Sequence, residues 1–192
     1  MIPRTIIGYH GCDVTLAESV ISGAGELPES TNTYDWLGGG VYFWEDSYAR
    51  AWQWAQERCS RRGRGKPAVI GAVIHTGNCL NLIDPASVLV VEQAYRTYVK
   101  LCRQNQTAPA KNQGKDMLAR YLDCEVFNTL HQTQKNEGIP SFDTIRAFFT
   151  EGKPIYKGAG LRKKDHVQVV VRNPDCIIGY FLPRKAVTQE LT

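Results

Sequence analysis

The chain has no apolar run of the ~18 residues that a membrane-spanning helix needs. The apolar stretch near its N-terminus is too short for a secretory signal peptide, and no small-residue cleavage site follows it. Its six cysteines form no CxxC pair, and among its four histidines only His10 has a cysteine, Cys12, at close spacing. These absences argue against a membrane protein, a disulfide-framed domain and a zinc site. We therefore expect a cytoplasmic protein with reduced cysteines, no metal and no membrane contact.

The composition is typical of one soluble globular domain over residues 1–192, because 43% of the residues are hydrophobic and 22% are charged. A net charge of +4 permits a nucleic-acid partner but does not require one. The densest basic run is RCSRRGRGK, residues 58–66. This run suits either a solvated loop or a contact with a phosphate backbone, and both interpretations stay open.

The order of predicted elements favours an α+β domain, with strands early, helices in the middle and strands again at the end. Asp13 is a predicted helix cap, and Ser141 is predicted to cap a short helix over SFDTIRAFF. The predicted strands cover 5–11, 41–43, 67–77, 78–84, 166–173 and 175–183. The predicted helices cover 14–22, 47–58, 85–104, 116–135 and 141–149.

Two short motifs carry the functional signal. Tyr9-His10-Gly11 ends the first predicted strand, and DWLGGGVYFWED, residues 35–46, places three glycines directly before the second. Glycines allow positive φ or the close approach of another group. Taken singly, a structural histidine, a core tyrosine and a tight turn would explain each feature.

In this order the motifs resemble the poly(ADP-ribose) polymerase and diphtheria-toxin-like class of ADP-ribosyltransferases, which carry H-G-[ST] and then G-x-G-[IV]-Y-F-x-[DE]. The matching stretches are His10–Cys12 and Gly38–Glu45. The late strand HVQVVV matches the family's third element, but Gln168 stands where the family has a glutamate. The resemblance implies an α+β fold of split mixed and antiparallel sheets that form an NAD cleft with flanking helices. The chain is also similar to small bacterial or phage-defence toxin transferases.

The resemblance assigns NAD as the substrate and gives each motif residue a role. His10 would bind the adenosine-side ribose hydroxyl, and the backbone of Gly11 would bind the nicotinamide carboxamide. Tyr42 would stack on the nicotinamide ring, and Trp52 or Trp54 would close its other face. The glycines that end at Gly40 would let the strand approach the dinucleotide.

Gln168 limits the expected chemistry. Its amide can accept a hydrogen bond from the nicotinamide-ribose hydroxyl, but it has no charge to stabilise a cationic sugar. We therefore expect single transfers of ADP-ribose instead of chain elongation. Glu151, just before the late glycine-rich loop, is our hypothesis for the base that activates the acceptor, although an exposed loop carboxylate is the alternative.

The acceptor is expected to be an intracellular macromolecule, with RNA or DNA slightly favoured over protein because two basic runs flank the predicted site. The residues concerned are Arg58, Arg61, Arg62, Arg162, Lys163 and Lys164. The resemblance implies a toxin or defence effector with an antitoxin or inhibitor protein. Three alternatives stay open: an inactive NAD- or ADP-ribose-binding module, an RNA 2′-phosphotransferase and an unrelated RNA-binding domain.

Overall fold

The computed structural model describes residues 4–114 and 117–184. Its strands are β1 Thr5–Asp13, β2 Val41–Glu45, β3 Pro67–His75, β4 Cys79–Asn81, β5 Thr144–Phe149, β6 His166–Val171 and β7 Ile177–Phe181. Its helices are α1 Val14–Ile21, α2 Tyr48–Arg62, α3 Pro85–Gln104 and α4 Tyr121–Glu137. The expected α+β class is therefore confirmed.

The described strands form one mixed sheet of seven strands in the order β4-β5-β6-β2-β1-β3-β7. All neighbours are antiparallel except β4 and β5. The two middle strands, β1 and β2, share two register pairs, Gly8 with Glu45 and Tyr9 with Trp44. By contrast, β1 pairs with β3 along its whole length. The expected split into separate sheets is therefore wrong, because β1 and β2 pair and join all seven strands into one sheet.

Helices cover the two faces of the sheet unequally. On one face, which we call the α1 face, α1 covers a core that includes Ile6, Phe43 and Ile70. The other, which we call the helical face, carries α2 over β1 and β3, and α3 with α4 over the other half of the sheet. The helical face therefore has two blocks of helix with β2 and β6 between them.

Local chemistry explains where these helices begin and how closely they pack. The Asp13 side chain accepts a hydrogen bond of 3.1 Å from the backbone N–H of Leu16, which caps α1 as predicted. Helix α2 lies so close to β1 that a Cβ at Gly11 would be 2.2 Å from the carbonyl oxygen of Ala51. Gly11 is therefore required by the packing of the helix on the strand.

The predicted helix over 141–149 is wrong, because Thr144–Phe149 forms strand β5. The strand pairs with β6 along its whole length and in parallel with β4. Its core-facing residues Ile145, Ala147 and Phe149 alternate with Arg146 and Phe148, the period of a strand.

Three smaller points complete the comparison with the sequence. Helix α4 begins at Tyr121, later than the predicted start at 116, a position outside the described residues. All six cysteines are free, as expected. No helix in the described ranges is long and apolar enough to cross a membrane.

Candidate functional site

The motif residues meet where β1 and β2 separate. The ladder between these strands ends at the pair of Tyr9 and Trp44. The carbonyl of Ile7 accepts a hydrogen bond of 3.0 Å from the N–H of Asp46, so the odd-numbered residues of β1 direct their backbone groups towards β2. The N–H and C=O of Gly11 consequently point into the gap beyond the end of the ladder.

His10 closes part of this gap with its side chain. Its Nδ1 lies 2.8 Å from the carbonyl oxygen of Tyr42. Because a carbonyl can only accept, Nδ1 carries the proton and donates it. Burial lowers the pKa of His10, the bond to Tyr42 raises it and the charge of Arg58 lowers it further. The imidazole is therefore neutral near pH 7, and its buried Nε2 is an acceptor without a partner in the described part of the chain.

Tyr42 uses its hydroxyl to hold the glycine turn. The hydroxyl donates to the carbonyl of Gly38 at 2.6 Å and accepts from the N–H of Leu37 at 2.9 Å. Burial raises the pKa of Tyr42, so the hydroxyl stays protonated. The ring packs against the core under α3 and α4. A ligand could therefore use the ring of Tyr42, while its hydroxyl already has two partners.

The glycines of the turn are surrounded by the protein's own atoms. Gly38 and Gly40 have φ of +76° and +140°, values that side chains rarely adopt. A Cβ at Gly40 would lie 2.6 Å from Cγ2 of Val170, and one at Gly38 would lie 2.8 Å from Oδ1 of Asn128. Close packing against β6 and α4 accounts for these two glycines without a ligand.

Gln168 lies in a row of side chains that runs across the middle of the sheet. The register joins Tyr9, Trp44, Gln168 and Ala147 on adjacent strands, so all four point to the helical face. His10 follows Tyr9 and leaves the strand on the α1 face, where its ring meets that of Phe43 at 5.9 Å. The two predicted site residues, His10 and Gln168, thus start from opposite faces of the sheet.

The two candidate tryptophans of α2 lie in different surroundings. The ring of Trp54 is 5.9 Å from Trp44, which pairs directly with Gln168. The ring of Trp52 stacks on Tyr48 at 6.4 Å, in the cluster that contains Tyr9 and Trp44. Both tryptophans therefore border the row of Gln168, and Trp54 is the one whose ring contacts that of Trp44, the neighbour of Gln168.

Sequence reasoning missed an aromatic cluster between the two blocks of helix. The cluster consists of Trp36, Trp44, Phe149 and His166, whose ring centroids lie 4.6–6.4 Å apart in contacting pairs. Guanidinium groups lie over two of its tryptophans, that of Arg120 over Trp36 at 4.4 Å and that of Arg50 over Trp44 at 5.7 Å. The one local signal was the position of His166, two residues before Gln168 and hence on the same face.

Among the residues that the structure describes, four of the buried polar atoms without partners lie in this cluster and its arginines. They are Nε1 of Trp44, Nε2 of His166 and the Nε atoms of Arg50 and Arg120. His166 donates from Nδ1 to the carbonyl of Lys164 at 2.6 Å, so its Nε2 is an acceptor. Burial lowers the pKa of His166, which keeps the ring neutral. Three donors and one acceptor thus lie close together on the face that carries Gln168.

Glu151 lies beside this cluster and is held by charges. One carboxylate oxygen is 2.8 Å from the guanidinium of Arg50 and 3.9 Å from Nδ1 of His166. The other lies 3.9 Å from Nζ of Lys164. Glu151 is therefore a positioned, partly buried carboxylate instead of an exposed loop residue.

An ion pair connects the segments that carry the two basic runs of the sequence. Lys164 contacts Glu57 of α2 at 2.7 Å, which ties the loop before β6 to the helix. Arg61 lies over the ring of Trp54 at 5.0 Å, and Arg162 donates to the carbonyl of Gly152. Lys163 is exposed. Within residues 4–114 and 117–184, no three His, Cys, Asp or Glu side chains are grouped so that they could hold a metal ion.

Comparison with known proteins identifies a similar sequence but does not indicate what this protein does. No family model matches the chain, and no solved structure matches it. The chain is similar to an uncharacterized protein of Methanocaldococcus jannaschii, with 26% identity over 186 residues that cover 88% of this chain and 83% of the relative.

Proposed function

We propose that this chain is an NAD-dependent mono-ADP-ribosyltransferase of the poly(ADP-ribose) polymerase and diphtheria-toxin-like type, acting on an intracellular macromolecule in the cytoplasm. The observation that carries the proposal is the gap where β1 and β2 separate. There, the backbone groups of Gly11 lie beyond the ladder, and Nε2 of His10 is an acceptor without a partner. A carboxamide and a ribose hydroxyl are groups that such an arrangement would bind.

In this reaction the bond between ribose C1′ and the nicotinamide nitrogen breaks, and its electron pair leaves with nicotinamide. A nucleophile of the acceptor then forms a bond to C1′ and loses its proton to a base. Positive charge develops on the sugar as the first bond breaks, as in glycoside hydrolysis. The protein contributes by holding the dinucleotide bent and its leaving ring flat, with Tyr42 and Trp54 on either side.

In this proposal, Gln168 and Glu151 each take one of the two roles that a single glutamate has in that class, orienting the ribose and activating the acceptor. The Gln168 amide would accept a hydrogen bond from the nicotinamide-ribose hydroxyl. Glu151, held 2.8 Å from Arg50, would take the proton of the acceptor. Because Gln168 has no charge, the proposed product carries one ADP-ribose unit.

The loop between β5 and β6 favours a nucleic-acid acceptor over a protein. It is a hairpin held by bonds between Ile155 and Leu161 and between Lys153 and Lys163. Its tip exposes the side chain of Tyr156 to 67% beside Lys157. An exposed aromatic ring among lysines suits a stacked base and its phosphates. A strong salt dependence of acceptor binding is expected, and indifference to salt would favour protein instead.

The test is transfer of label from NAD labelled in the adenylate, offered separately to total RNA, DNA and cell extract. His10→Asn retains a donor near the position of Nδ1 but removes the Nε2 acceptor, so it should abolish transfer while the protein stays folded. His75→Asn, at an exposed strand end, is the matched control and should transfer normally. Unchanged transfer by His10→Asn would refute the proposed cleft, and unchanged transfer by Glu151→Gln would remove Glu151 as the base.

A second candidate is a module that binds NAD or ADP-ribose without catalysis. Two observations favour it: Gln168 is neutral, and the Glu151 carboxylate is already paired with Arg50. Release of nicotinamide separates the two, because a transferase releases it and a binding module does not. An active protein would fit a toxin or defence effector, restrained by an antitoxin or inhibitor protein.

A further inference from the structure

A small basic cavity lies near the end of β1, apart from the aromatic cluster. Its volume is about 240 Å³, and it is lined by Asp13, Arg58, Cys59, Arg62, Arg64 and Gly65. Gly63 ends α2 in the left-handed conformation, and Gly65 also has positive φ, so the chain turns back over the helix end. The Lys66 carbonyl then accepts a 2.9 Å bond from the N–H of Val14, which fixes the loop against the start of α1.

The charges that line the cavity are unbalanced. Three arginines and one aspartate line it, and one carboxylate oxygen of that aspartate, Asp13, already caps α1. Within the described ranges, Arg58, Arg62 and Arg64 form no ion pair. Like charges around one cavity repel one another unless an anion lies between them. The charge of the lining residues therefore suits an anion.

We propose that this cavity binds a phosphate group, as inorganic pyrophosphate or as the phosphate of a nucleotide or nucleic acid. Guanidinium forks match phosphate oxygens in pairs, and three of them around 240 Å³ suit one or two phosphoryl groups. The cavity lies on the strand that borders the gap, since Asp13, which lines it, follows His10 by three residues in β1. The proposal that the cavity binds phosphate does not depend on the proposed transferase activity. Only the assignment of that phosphate to NAD or to a nucleic-acid acceptor rests on the proposed function.

The first experiment titrates inorganic pyrophosphate into the whole chain by calorimetry at low salt. Arg62 and Arg64 are exposed, so the double variant Arg62→Gln/Arg64→Gln should fold normally. We expect it to bind pyrophosphate about tenfold or more weakly. The matched control is Arg96→Gln/Arg103→Gln, which removes the same charge from exposed positions on α3 and should bind like the parent. No binding by the parent, or equal weakening in both variants, would overturn the proposal.

The second experiment identifies the source of the phosphate with two ligands, NAD and a short single-stranded RNA. Weaker binding of NAD alone by Arg62→Gln/Arg64→Gln would assign the cavity to the dinucleotide pyrophosphate. Weaker binding of RNA alone would assign it to the backbone of the acceptor. If neither ligand is affected, pyrophosphate is an adventitious ion and the proposal fails. If NAD does not bind the parent while pyrophosphate and RNA do, the cavity stands and the transferase proposal falls.

Discussion

The stability of this protein should fall as the pH drops from 7.5 to 5, and His131 is expected to cause a measurable part of the loss. His131 lies on α4, is 7% exposed and packs edge-on against Phe142. Its Nε2 is buried and has no hydrogen-bond partner among residues 4–114 and 117–184. Burial and, to a smaller extent, the charge of Arg172 lower its pKa from 6.5 to about 3.

The direction of this change in stability depends on whether the folded or the unfolded state binds the proton more readily. As the pH falls below 6.5, His131 becomes protonated in the unfolded chain, whereas in the folded chain it stays neutral down to about pH 3. The stabilisation is therefore complete above pH 6.5 and is lost as the pH falls. Linkage between pKa values of 6.5 and about 3 gives a loss of about 2 kcal/mol between pH 7.5 and 5. His10 and His166, whose pKa values are also lowered by burial, should add to the loss.

The assay is urea unfolding at pH 7.5 and pH 5, followed by tryptophan fluorescence. The quantity compared is the change in unfolding free energy between the two pH values, so a uniform effect of the substitution cancels. His131→Gln should reduce this change by about 2 kcal/mol. His75→Gln, at an exposed position, should leave it as in the parent. If His131→Gln retains the full pH dependence, the neutral buried imidazole is not its source.

Three further predictions follow from the geometry of the cleft. Gly11→Ala should lower the unfolding free energy by about 3 kcal/mol or more, because its methyl group would lie 2.2 Å from the Ala51 carbonyl; a normal thermal unfolding curve would contradict the packing argument. Trp54→Ala should weaken NAD binding about tenfold while Trp52→Ala does not, as measured by calorimetry; equal effects would remove the distinction between them. Tyr42→Phe should lose about 1–3 kcal/mol of stability with little change in NAD affinity, and a large loss of affinity would assign the hydroxyl to the ligand.

Local signals sufficed for most of the fold. The Asp13 cap, the continuous apolar run of β3 and the proline at the start of α3 each lie in or beside the element they specify. Strand β5 was misassigned because a short apolar run preceded by Ser141 also suits a capped helix. Its partners lie outside this segment, with β4 well before it in the chain and β6 beyond the loop that follows it, so pairing with them decides its conformation.

The site was only partly accessible from the sequence for the same reason. The motif spacing correctly associated His10 with Tyr42, which the structure joins by a hydrogen bond. It gave no sign of the aromatic cluster, since Trp36, Phe149 and His166 come from three separate segments. It also offered a ligand as the reason for Gly40, whereas Val170 fills the space that this glycine leaves.

The two sequence motifs are physically linked through one carbonyl. If the ladder between β1 and β2 continued past Tyr9, Gly11 would pair with Tyr42, and each would use its backbone N–H and C=O on the other. His10 donates to the Tyr42 carbonyl in place of the Gly11 amide. The strands can therefore separate without leaving that carbonyl unsatisfied. The histidine directly before Gly11 thus accounts for the end of the ladder at Tyr9, while Gly11 itself lets α2 pack closely on β1.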